Sequence, residues 1–282
     1  MKAKYVNRLL LCTFTAFILG CGSCVHTETK LSVGEKLPRQ SFMLVKNSMV
    51  LEGCVLPNDK GEKEECNKAS WTATSSGMVV LHSEITPDIS YVLTAGHSCE
   101  ERKFPKRVID GVEIKKLKTN YEVVSYHGRK HQAVVVAMDK RWDLCLLQVK
   151  GVSRNIKAVP IAEEGPKRGV KYYNLAAPRG LFGRGMVLTF EGYYSGNFMA
   201  GYDTYTISTK PGSSGSSILN KDGEIVGIIF AGFPSVEKVG LSPVFASISI
   251  FVAKAYAQGE LNLWKLYNMN ADTTETTTQT PK

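Results

Sequence analysis

The sequence predicts an all-β fold, and three observations lead to that prediction. About a dozen short apolar or alternating segments recur along residues 41–248, which is the pattern of short strands. Turn residues separate these segments, as at residues 127–129 and 220–223. Helical segments do not alternate with the strands, so the pattern favours a β-sandwich or β-barrel over a parallel α/β sheet.

The predicted strands share an apolar or period-two pattern and end at polar or glycine-containing turns. They comprise residues 41–45, 76–81, 91–94, 122–126, 132–137, 144–149, 171–176, 186–194, 204–207, 216–219, 225–230 and 244–248. A polar break at residues 153–158 divides them into two β-units. The resulting divisions are a signal peptide at 1–20, a linker at 21–40, β-units at 41–152 and 153–249, a helix at 250–267 and a disordered threonine-rich tail at 268–282.

The first twenty residues have the composition of an export signal. Lys2, Lys4 and Arg8 form a positive region, and the apolar stretch after them is too short to span a bilayer. Cys21 and the residues before it resemble a bacterial lipobox, in which the cysteine is lipidated and becomes the mature N-terminus. Ordinary signal cleavage near residues 20–22 is the alternative. Both interpretations predict export to the periplasm or the cell exterior, with membrane contact only through a lipid on Cys21.

Composition and charge narrow the class of protein. With 43% hydrophobic and 22% charged residues, the chain has the composition of a globular protein. Its formal net charge is +9, and loss of the signal, which carries three basic residues and no acid, leaves +6. Basic residues cluster in one stretch, which is typical of a solvated loop. These residues are Lys103, Lys106, Arg107, Lys115, Lys116 and Lys118. No nucleic-acid motif accompanies them, so nucleic-acid binding is not expected.

The cysteines predict one disulfide and one free thiol. Cys54 and Cys66 flank a polar turn and would form a local disulfide in an oxidising compartment. Cys99 is an alternative partner for either of them, because connectivity cannot be read from sequence. Cys145 lies in an apolar strand and is predicted to be a buried free thiol.

Three segments carry candidate catalytic residues. His97 follows a strand at a small-residue turn, Asp143 opens an apolar strand, and Ser214 lies between Gly212 and Gly215. A serine hydroxyl needs an adjacent base to become a nucleophile, and imidazole has the required pKa near neutrality. A carboxylate then fixes the imidazole tautomer. Glycines beside the serine let backbone N–H groups turn toward a developing oxyanion, a role predicted for the N–H groups of Gly212 and Ser214.

Each of these segments is weak alone, but their combination is specific. An isolated histidine, strand-opening aspartate or Gly-Ser loop is usually structural. The chain order His97, Asp143, Ser214 on an exported all-β background is much more specific than any one of them. An α/β-hydrolase would need a second glycine where Ser216 stands and the reverse residue order, so that class is excluded.

The motifs resemble those of the trypsin-like peptidase superfamily, particularly its bacterial HtrA-type and glutamyl-endopeptidase-like branches. The histidine motif is Thr94-Ala95-Gly96-His97, the acid motif is Asp143-Leu144-Cys145-Leu146-Leu147, and the serine motif is Gly212-Ser213-Ser214-Gly215-Ser216-Ser217. The similarity spans residues 41–252. It implies two six-stranded antiparallel β-barrels packed face to face, a short C-terminal helix and a site in the cleft between the barrels. It also implies a serine endopeptidase that acts on proteins or peptides through an acyl-enzyme, without a cofactor.

Positions that depart from the family pattern lead to further expectations about activation, an additional domain and metal binding. Ser213 stands where zymogen-activated relatives carry an aspartate, so activation by a newly freed N-terminus is not expected. HtrA-type enzymes usually carry a PDZ domain after the peptidase, and the chain is too short for one. His127 and His131 are four residues apart, but the turn between them predicts a hairpin and no metal site.

The resemblance also implies substrate-binding residues. Ser208 would lie at the base of the primary pocket, and Phe230, Ala231 and Gly232 would form the strand that pairs with substrate. No acid is evident at the pocket base, which disfavours a preference for Lys or Arg, and no histidine is placed to favour Glu. Gly232 leaves the entrance open, so an apolar or medium-sized residue is expected. The alternative function is a non-catalytic binding or scaffold lipoprotein on a peptidase fold.

Overall fold

The computed structural model describes residues 36–55, 65–101, 107–109, 112–199, 201–233 and 235–275. The predicted signal peptide, Cys21 and most of the predicted linker lie outside these residues. Within them, no helix has the length and apolarity needed to cross a membrane.

The N-terminal half forms a closed antiparallel barrel. Its strands are β1 (Phe42–Val55), β2 (Cys66–His82), β3 (Ile89–Ala95), β4 (Arg107–Ile109), β5 (Val112–Ser125), β6 (Lys130–Asp139) and β7 (Leu144–Lys150). They pair in the order β1-β2-β3-β7-β6-β5-β4, and pairing of β1 with β5 closes six of them into a ring. Strand β4 is added outside the ring, on β5.

The C-terminal half forms a second sheet. Its strands are β8 (Lys171–Ala176), β9 (Leu188–Phe198), β10 (Tyr202–Tyr205), β11 (Ser217–Leu219), β12 (Ile225–Ile228), β13 (Ala231–Gly232) and β14 (Gly240–Pro243). They pair in the order β12-β11-β8-β9-β10-β14-β13, so this sheet has seven strands where six were expected. The predicted all-β fold of the double-barrel type is confirmed.

Strand β7 shows how the two halves share a core. Leu144 and Leu146 belong to a buried cluster that also includes Leu175 and Ile228 of the second sheet. The alternate residue Leu147 lies in a separate cluster inside the first barrel. Because successive side chains of a strand point to opposite faces, β7 is buried on both faces. This explains its unbroken apolar sequence.

Helix α1 (Phe245–Glu275) closes the fold, and it begins before and ends after the predicted helix at residues 250–267. The strand predicted at residues 244–248 is wrong, because this segment leads into the first turn of α1. Asp203 of β10 supplies the reason: its Oδ2 accepts the N–H of Phe245 at 3.1 Å. A carboxylate at a helix N-terminus satisfies a free amide and favours the helix dipole. Ile248 and Val252 then pack into the shared core.

The far part of α1 is fixed to the first barrel through Glu260. Its Oε1 accepts the hydroxyl of buried Tyr91 at 2.7 Å, and its Oε2 accepts the N–H groups of Glu84 and Ile85 at 3.0 and 3.3 Å. Burial, together with the Glu260 carboxylate, raises the pKa of Tyr91 far above its usual value. Tyr91 therefore stays neutral and donates to Glu260.

Strands β1, β2 and β5 extend beyond the barrel as a projecting arm, formed by residues 48–55, 66–72 and 112–120. In the arm β1 pairs with β2 up to Cys54 opposite Cys66, and these two cysteines form a disulfide. The predicted local disulfide is thus confirmed. Every residue of β2 from 66 to 72 is exposed.

The prediction of a free thiol at Cys145 is wrong. Cys145 of β7 forms a disulfide with Cys99, and both residues are buried. Strands β3 and β7 pair in a register that places Thr94 opposite Cys145, which brings the turn after β3 alongside the start of β7. The pairing partner could not be read from sequence because 46 residues separate the two cysteines.

Candidate active site

His97 and Asp143 are brought together by the pairing of β3 with β7. Ala95 ends β3 opposite Leu144, the first residue of β7, so the residues just outside each strand are neighbours. The N–H of Gly96 donates to the main-chain oxygen of Asp143 at 2.7 Å, which extends the ladder by one bond. Asp143 has a φ of 51°, a left-handed conformation that aspartate tolerates better than most residues.

The Asp143 carboxylate makes two contacts with His97. Its Oδ1 accepts the main-chain N–H of His97 at 2.6 Å, and its Oδ2 lies 2.6 Å from His97 Nδ1. The second contact places a proton on Nδ1, which leaves Nε2 of the neutral ring as a hydrogen-bond acceptor. A Cβ at Gly96 would lie 2.8 Å from Asp143 Oδ1, so only glycine permits this close approach.

Ser76 of β2 holds the loop that carries Ser214 in place through hydrogen bonds. The N–H of Ser76 donates to the Ser214 oxygen at 2.8 Å, and its oxygen accepts the hydroxyl of Thr94 at 2.7 Å. The Ser76 hydroxyl donates to the Gly212 oxygen at 2.9 Å and accepts the N–H of Ala177 at 3.0 Å. Ser76 is fully buried, so these bonds are shielded from water. The first barrel therefore fixes the serine loop of the second sheet.

Glycines on both sides of Ser214 are required by the backbone. Gly212 has a φ of 95° and Gly215 a φ of 82°, conformations that L-residues rarely adopt. A Cβ at Gly215 would overlap the Ser76 oxygen and Thr94 Oγ1. A Cβ at Gly212 would lie 2.6 Å from the Ala177 oxygen.

The amides predicted to form the oxyanion hole have no partner within the described residues. Neither the N–H of Gly212 nor that of Ser214 donates a hydrogen bond there. The neighbouring carbonyls are occupied: the Pro211 oxygen accepts the N–H of Arg179 at 2.5 Å, and the Gly212 oxygen accepts the Ser76 hydroxyl. Within the described residues both amides therefore keep an unused donor.

Two cavities meet at Ser214. One, of about 230 Å³, is lined by Ser214 together with His97 and Gly212. The other, of about 410 Å³, is lined by Ser214 together with Ala231 and Gly232. The structure thus brings the predicted base and nucleophile to one cavity. The Ser214 hydroxyl lies 3.4 Å from the oxygen of Phe230, to which it donates.

Some of the predicted substrate-binding residues line the larger cavity at Ser214, and others do not. Ala231 and Gly232 line the larger cavity, but Ser208 and Phe230 do not. Thr209 and Lys210 are there instead. A Cβ at Gly232 would overlap Thr209 Oγ1, which places Thr209 directly against the strand. Strand β10 ends at Tyr205, so strand alternation does not continue to these positions and could not have selected Thr209.

Sequence reasoning also missed Ser76 and Arg179. Ser76 lies in the strand predicted at residues 76–81, but its partners lie as far as residue 214 and are set by the packing of the two halves. His127 and His131 line a separate cavity with Arg129 and Arg184. Across the described residues, no three potential metal ligands cluster.

Comparison with known proteins decides the family. Residues 75–228 match the family model described as the trypsin-like peptidase domain, which is more than half of the chain. The chain belongs to the trypsin-like peptidase family. The matched segment contains the histidine, aspartate and serine motifs, so the resemblance seen in the sequence is confirmed. No protein with a curated description matches the chain.

Solved structures show the same trypsin-like fold. A serine endoprotease from Yersinia pestis is 19% identical with a TM-score of 0.54, and the match covers 81% of this chain and 68% of that one. An inactive serine-to-alanine mutant of Rv3671c from M. tuberculosis is 17% identical with a TM-score of 0.50, covering 78% and 88%. The active form of the Rv3671c protease is also 17% identical with a TM-score of 0.50, covering 73% and 80%.

Proposed function

We propose that this trypsin-like peptidase is a serine endopeptidase that uses Ser214 as nucleophile, His97 as general base and Asp143 as orienting acid. The observation that carries the proposal is the pair of 2.6 Å contacts from Asp143 to His97, which leave Nε2 as an acceptor, together with the cavity that His97 and Ser214 both line. An imidazole held in this tautomer can take a proton from a serine hydroxyl.

The proposed reaction has two halves. His97 Nε2 accepts the hydroxyl proton as Ser214 Oγ attacks the scissile carbonyl, and the imidazolium formed is stabilised by Asp143. The N–H groups of Gly212 and Ser214 stabilise the oxyanion. His97 then donates the proton to the leaving amine, and an acyl-enzyme remains on Ser214. Water attacks that ester with His97 again as base, which releases the acid and restores the serine.

The larger cavity supports the proposed substrate preference. Among the described residues that line it there is no carboxylate, so these residues offer no partner for a Lys or Arg side chain. Ala231 and Gly232 pair with β14 and leave a small-residue surface beside Ser214. We therefore propose that the residue before the scissile bond is apolar or of medium size. Cleavage of a peptide library, read by mass spectrometry, tests this, and preferred cleavage after Lys, Arg or Glu would contradict it.

We also propose that the protein is exported and tethered by a lipid on Cys21. The Cys54–Cys66 and Cys99–Cys145 disulfides support an oxidising compartment. Metabolic labelling with a fatty acid, compared between the natural chain and Cys21→Ser, tests the anchor. Label that persists in Cys21→Ser would place the lipid elsewhere, and an exported but unlabelled protein would favour ordinary signal cleavage.

The catalytic proposal is tested by labelling with a fluorophosphonate. We expect the folded protein to be labelled, and the label to be lost in Ser214→Ala and in His97→Ala. Ser153→Ala is the matched control, because Ser153 is exposed and lines neither cavity at Ser214; it should be labelled like the natural chain. Absence of label in all four folded proteins would favour the alternative, a binding or scaffold protein on a peptidase fold.

A further inference from the structure

A cavity of about 340 Å³ with a basic lining lies away from Ser214. The β5–β6 hairpin, the segment after β7 and the segment between β8 and β9 all contribute to it. Its four basic lining residues are His127, Arg129, His131 and Arg184. Among the described residues that line it there is no Asp or Glu. We call it the basic cavity.

The basic cavity and the candidate active site lie at opposite ends of β7. Asp143 directly precedes this strand, whereas Gly151 directly follows it and lines the basic cavity. The length of β7, roughly 20 Å at about 3.3 Å per residue, therefore separates them. A ligand in the basic cavity would not contact His97 or Ser214.

The two arginines of the basic cavity come from different halves of the protein and are held beside each other. The N–H of Gly185 donates to the Tyr126 oxygen at 2.8 Å, and the Tyr126 hydroxyl donates to the Gly185 oxygen at 2.6 Å. A Cβ at Gly128 would lie 3.5 Å from the Cβ of Arg184, so that side chain starts against the hairpin that carries Arg129. These contacts fix where both side chains begin.

The charges of Arg129 and Arg184 are not balanced by acidic groups. In the part of the chain that the structure describes, no carboxylate forms an ion pair with either guanidinium. The neighbouring Lys130, which does not line the cavity, has such a partner, because its Nζ lies 3.9 Å from Glu122 Oε1. The positive charge therefore remains available to a ligand at the two arginines.

A buried hydroxyl adds a further donor. Ser125 lines the basic cavity and is only 2% exposed. Its Oγ accepts the N–H of Arg129 at 3.2 Å, but its own proton goes to no acceptor among the described residues. The main-chain oxygens of Ser125 and Arg129 are already used, by the N–H groups of Gly128 and Ser125. Buried polar groups are rarely left without a partner, so this hydroxyl indicates that the cavity accommodates an acceptor.

We propose that the basic cavity binds a phosphate group, either as free inorganic phosphate or as the terminal phosphate of a larger molecule. The planar guanidinium of arginine donates two parallel hydrogen bonds to phosphate oxygens. A phosphate monoester has three acceptor oxygens and a charge of about −1.5 to −2 at pH 7. It can therefore accept from Arg129, Arg184 and the Ser125 hydroxyl together and balance both arginines.

A carboxylate suits this set of donors less well. It is planar, has two oxygens and carries a single charge, so it can be bidentate to one arginine but leaves the second guanidinium and the hydroxyl less well satisfied. The tetrahedral phosphate group is for this reason the ligand class that the lining favours. The proposal does not depend on the peptidase function, because none of the residues that it uses lies at Ser214.

The first experiment is calorimetric titration of the full-length protein, at constant ionic strength and in a phosphate-free buffer, with inorganic phosphate, glycerol phosphate and succinate. We expect one phosphate group to bind per chain, and succinate to bind about tenfold more weakly or worse, since it loses charge-assisted hydrogen bonds. Tighter binding of glycerol phosphate would identify the terminal phosphate of a larger molecule, and equal binding would identify free phosphate. Binding of neither phosphate compound, or succinate binding as tightly as phosphate, would overturn the inference.

A matched pair of double variants tests the location. Arg129→Gln with Arg184→Gln should weaken phosphate binding by about tenfold or more, because both guanidinium groups are lost. Lys130→Gln with Lys150→Gln removes the same two charges beside the cavity, from residues that do not line it, and should keep the affinity of the natural chain. All four positions are exposed, and circular dichroism confirms that each variant is folded.

Two results of this comparison would overturn the inference. If the arginine variant binds phosphate as tightly as the natural chain, the ligand lies elsewhere, for example at the free N–H groups of Gly212 and Ser214. If the lysine variant loses as much affinity as the arginine variant, general positive charge and not the basic cavity attracts the ligand. Arg184→Lys, which keeps the charge but loses the two-pronged donor, should weaken binding measurably. Unchanged affinity in Arg184→Lys would contradict recognition by the guanidinium.

Discussion

At the scale of single residues, Asp143 makes two contacts with His97, and an amide can reproduce only one of them. In Asp143→Asn one amide oxygen can still accept the His97 N–H, but the NH₂ group then faces Nδ1 and favours the other tautomer. We expect kcat to fall by about 10³–10⁴-fold with little change in KM. Steady-state kinetics on a peptide measures this.

Asp139→Asn is the control for that variant. Asp139 Oδ1 accepts the N–H groups of Arg141 and Trp142 at 2.9 and 3.1 Å, and an amide oxygen can do the same. Its kcat should stay close to that of the natural chain. Equal losses in the two variants would mean that the turn before β7, and not the His97 contact, controls the rate.

Asp203 makes stability depend on pH. Burial raises the pKa of Asp203 above 3.8 in the folded protein, although bonds from Tyr194 and the N–H of Phe245 act in the opposite direction. A raised pKa means that the folded state holds this proton more tightly than the unfolded state. The stability that protonated Asp203 contributes is therefore complete below pH 3.8. It is lost as the pH rises through the raised pKa of Asp203 in the folded protein.

The measurement is urea unfolding of the natural chain and of Asp203→Asn at a series of pH values, from below 3.8 to above the raised pKa of Asp203. The free energy of unfolding of the natural chain minus that of Asp203→Asn should fall as the pH rises. A difference that is constant with pH would show that the pKa of Asp203 is the same in the folded and unfolded states.

Residue types and chain order were enough to predict the His97, Asp143 and Ser214 motifs. Few amino acids can act as base, orienting acid or nucleophile, so the chemistry itself restricts the candidates. They were not enough for Ser76 or Thr209. A serine in a strand or a threonine after one has no distinguishing pattern, and their partners at Gly212 and Gly232 are fixed only when distant segments pack.

At the scale of elements, the error at residues 244–248 has a clear cause. The sequence Val-Phe-Ala-Ser-Ile is apolar and contains β-branched residues, which favour a strand when read locally. The carboxylate that starts the helix comes from Asp203, some forty residues earlier. A capping residue supplied by another element leaves no local signal, whereas the hairpin turns carry their own.

The Cys99–Cys145 disulfide links the turn after β3 to the start of β7, and each cysteine lies two residues after a proposed catalytic residue. We expect Cys99→Ser combined with Cys145→Ser to lower the free energy of unfolding by about 2–5 kcal/mol. Urea denaturation measures the loss. Activity should fall along with it, because the loop that holds His97 loses a covalent constraint.

The arm disulfide provides the comparison for this prediction. The sequence separation of Cys54 and Cys66 is only 12, so Cys54→Ser with Cys66→Ser releases a smaller constraint on chain entropy. A smaller loss of stability is expected in this variant, with peptide cleavage unchanged. If the arm pair proves the more destabilising, the arm contributes more to folding than its exposure indicates.

At the scale of the whole molecule, the shared core predicts one unfolding transition. Leu146 of the first barrel packs in the same cluster as Leu175 of the second sheet. Truncation to Leu146→Ala should destabilise the protein by about 2–5 kcal/mol. The midpoints seen by tryptophan fluorescence and by far-UV circular dichroism should shift together.

Val134→Ala is the control for that shift. Val134 lies on β6, next to β7 and paired with Gln148, but is 58% exposed, so its truncation should change stability by less than about 0.5 kcal/mol. Two separated transitions in Leu146→Ala would instead show that each half unfolds alone.

The burial of β7 on both faces has a consequence for how such a chain can vary over evolutionary time. Asp143 is the residue immediately before this strand, so hydrophobic packing, and not the surrounding polar surface, sets its position. Substitutions in the exposed loops and in the arm can accumulate without displacing the carboxylate. Changes on the exposed surface can therefore alter which substrates fit while the geometry around His97 stays as it is.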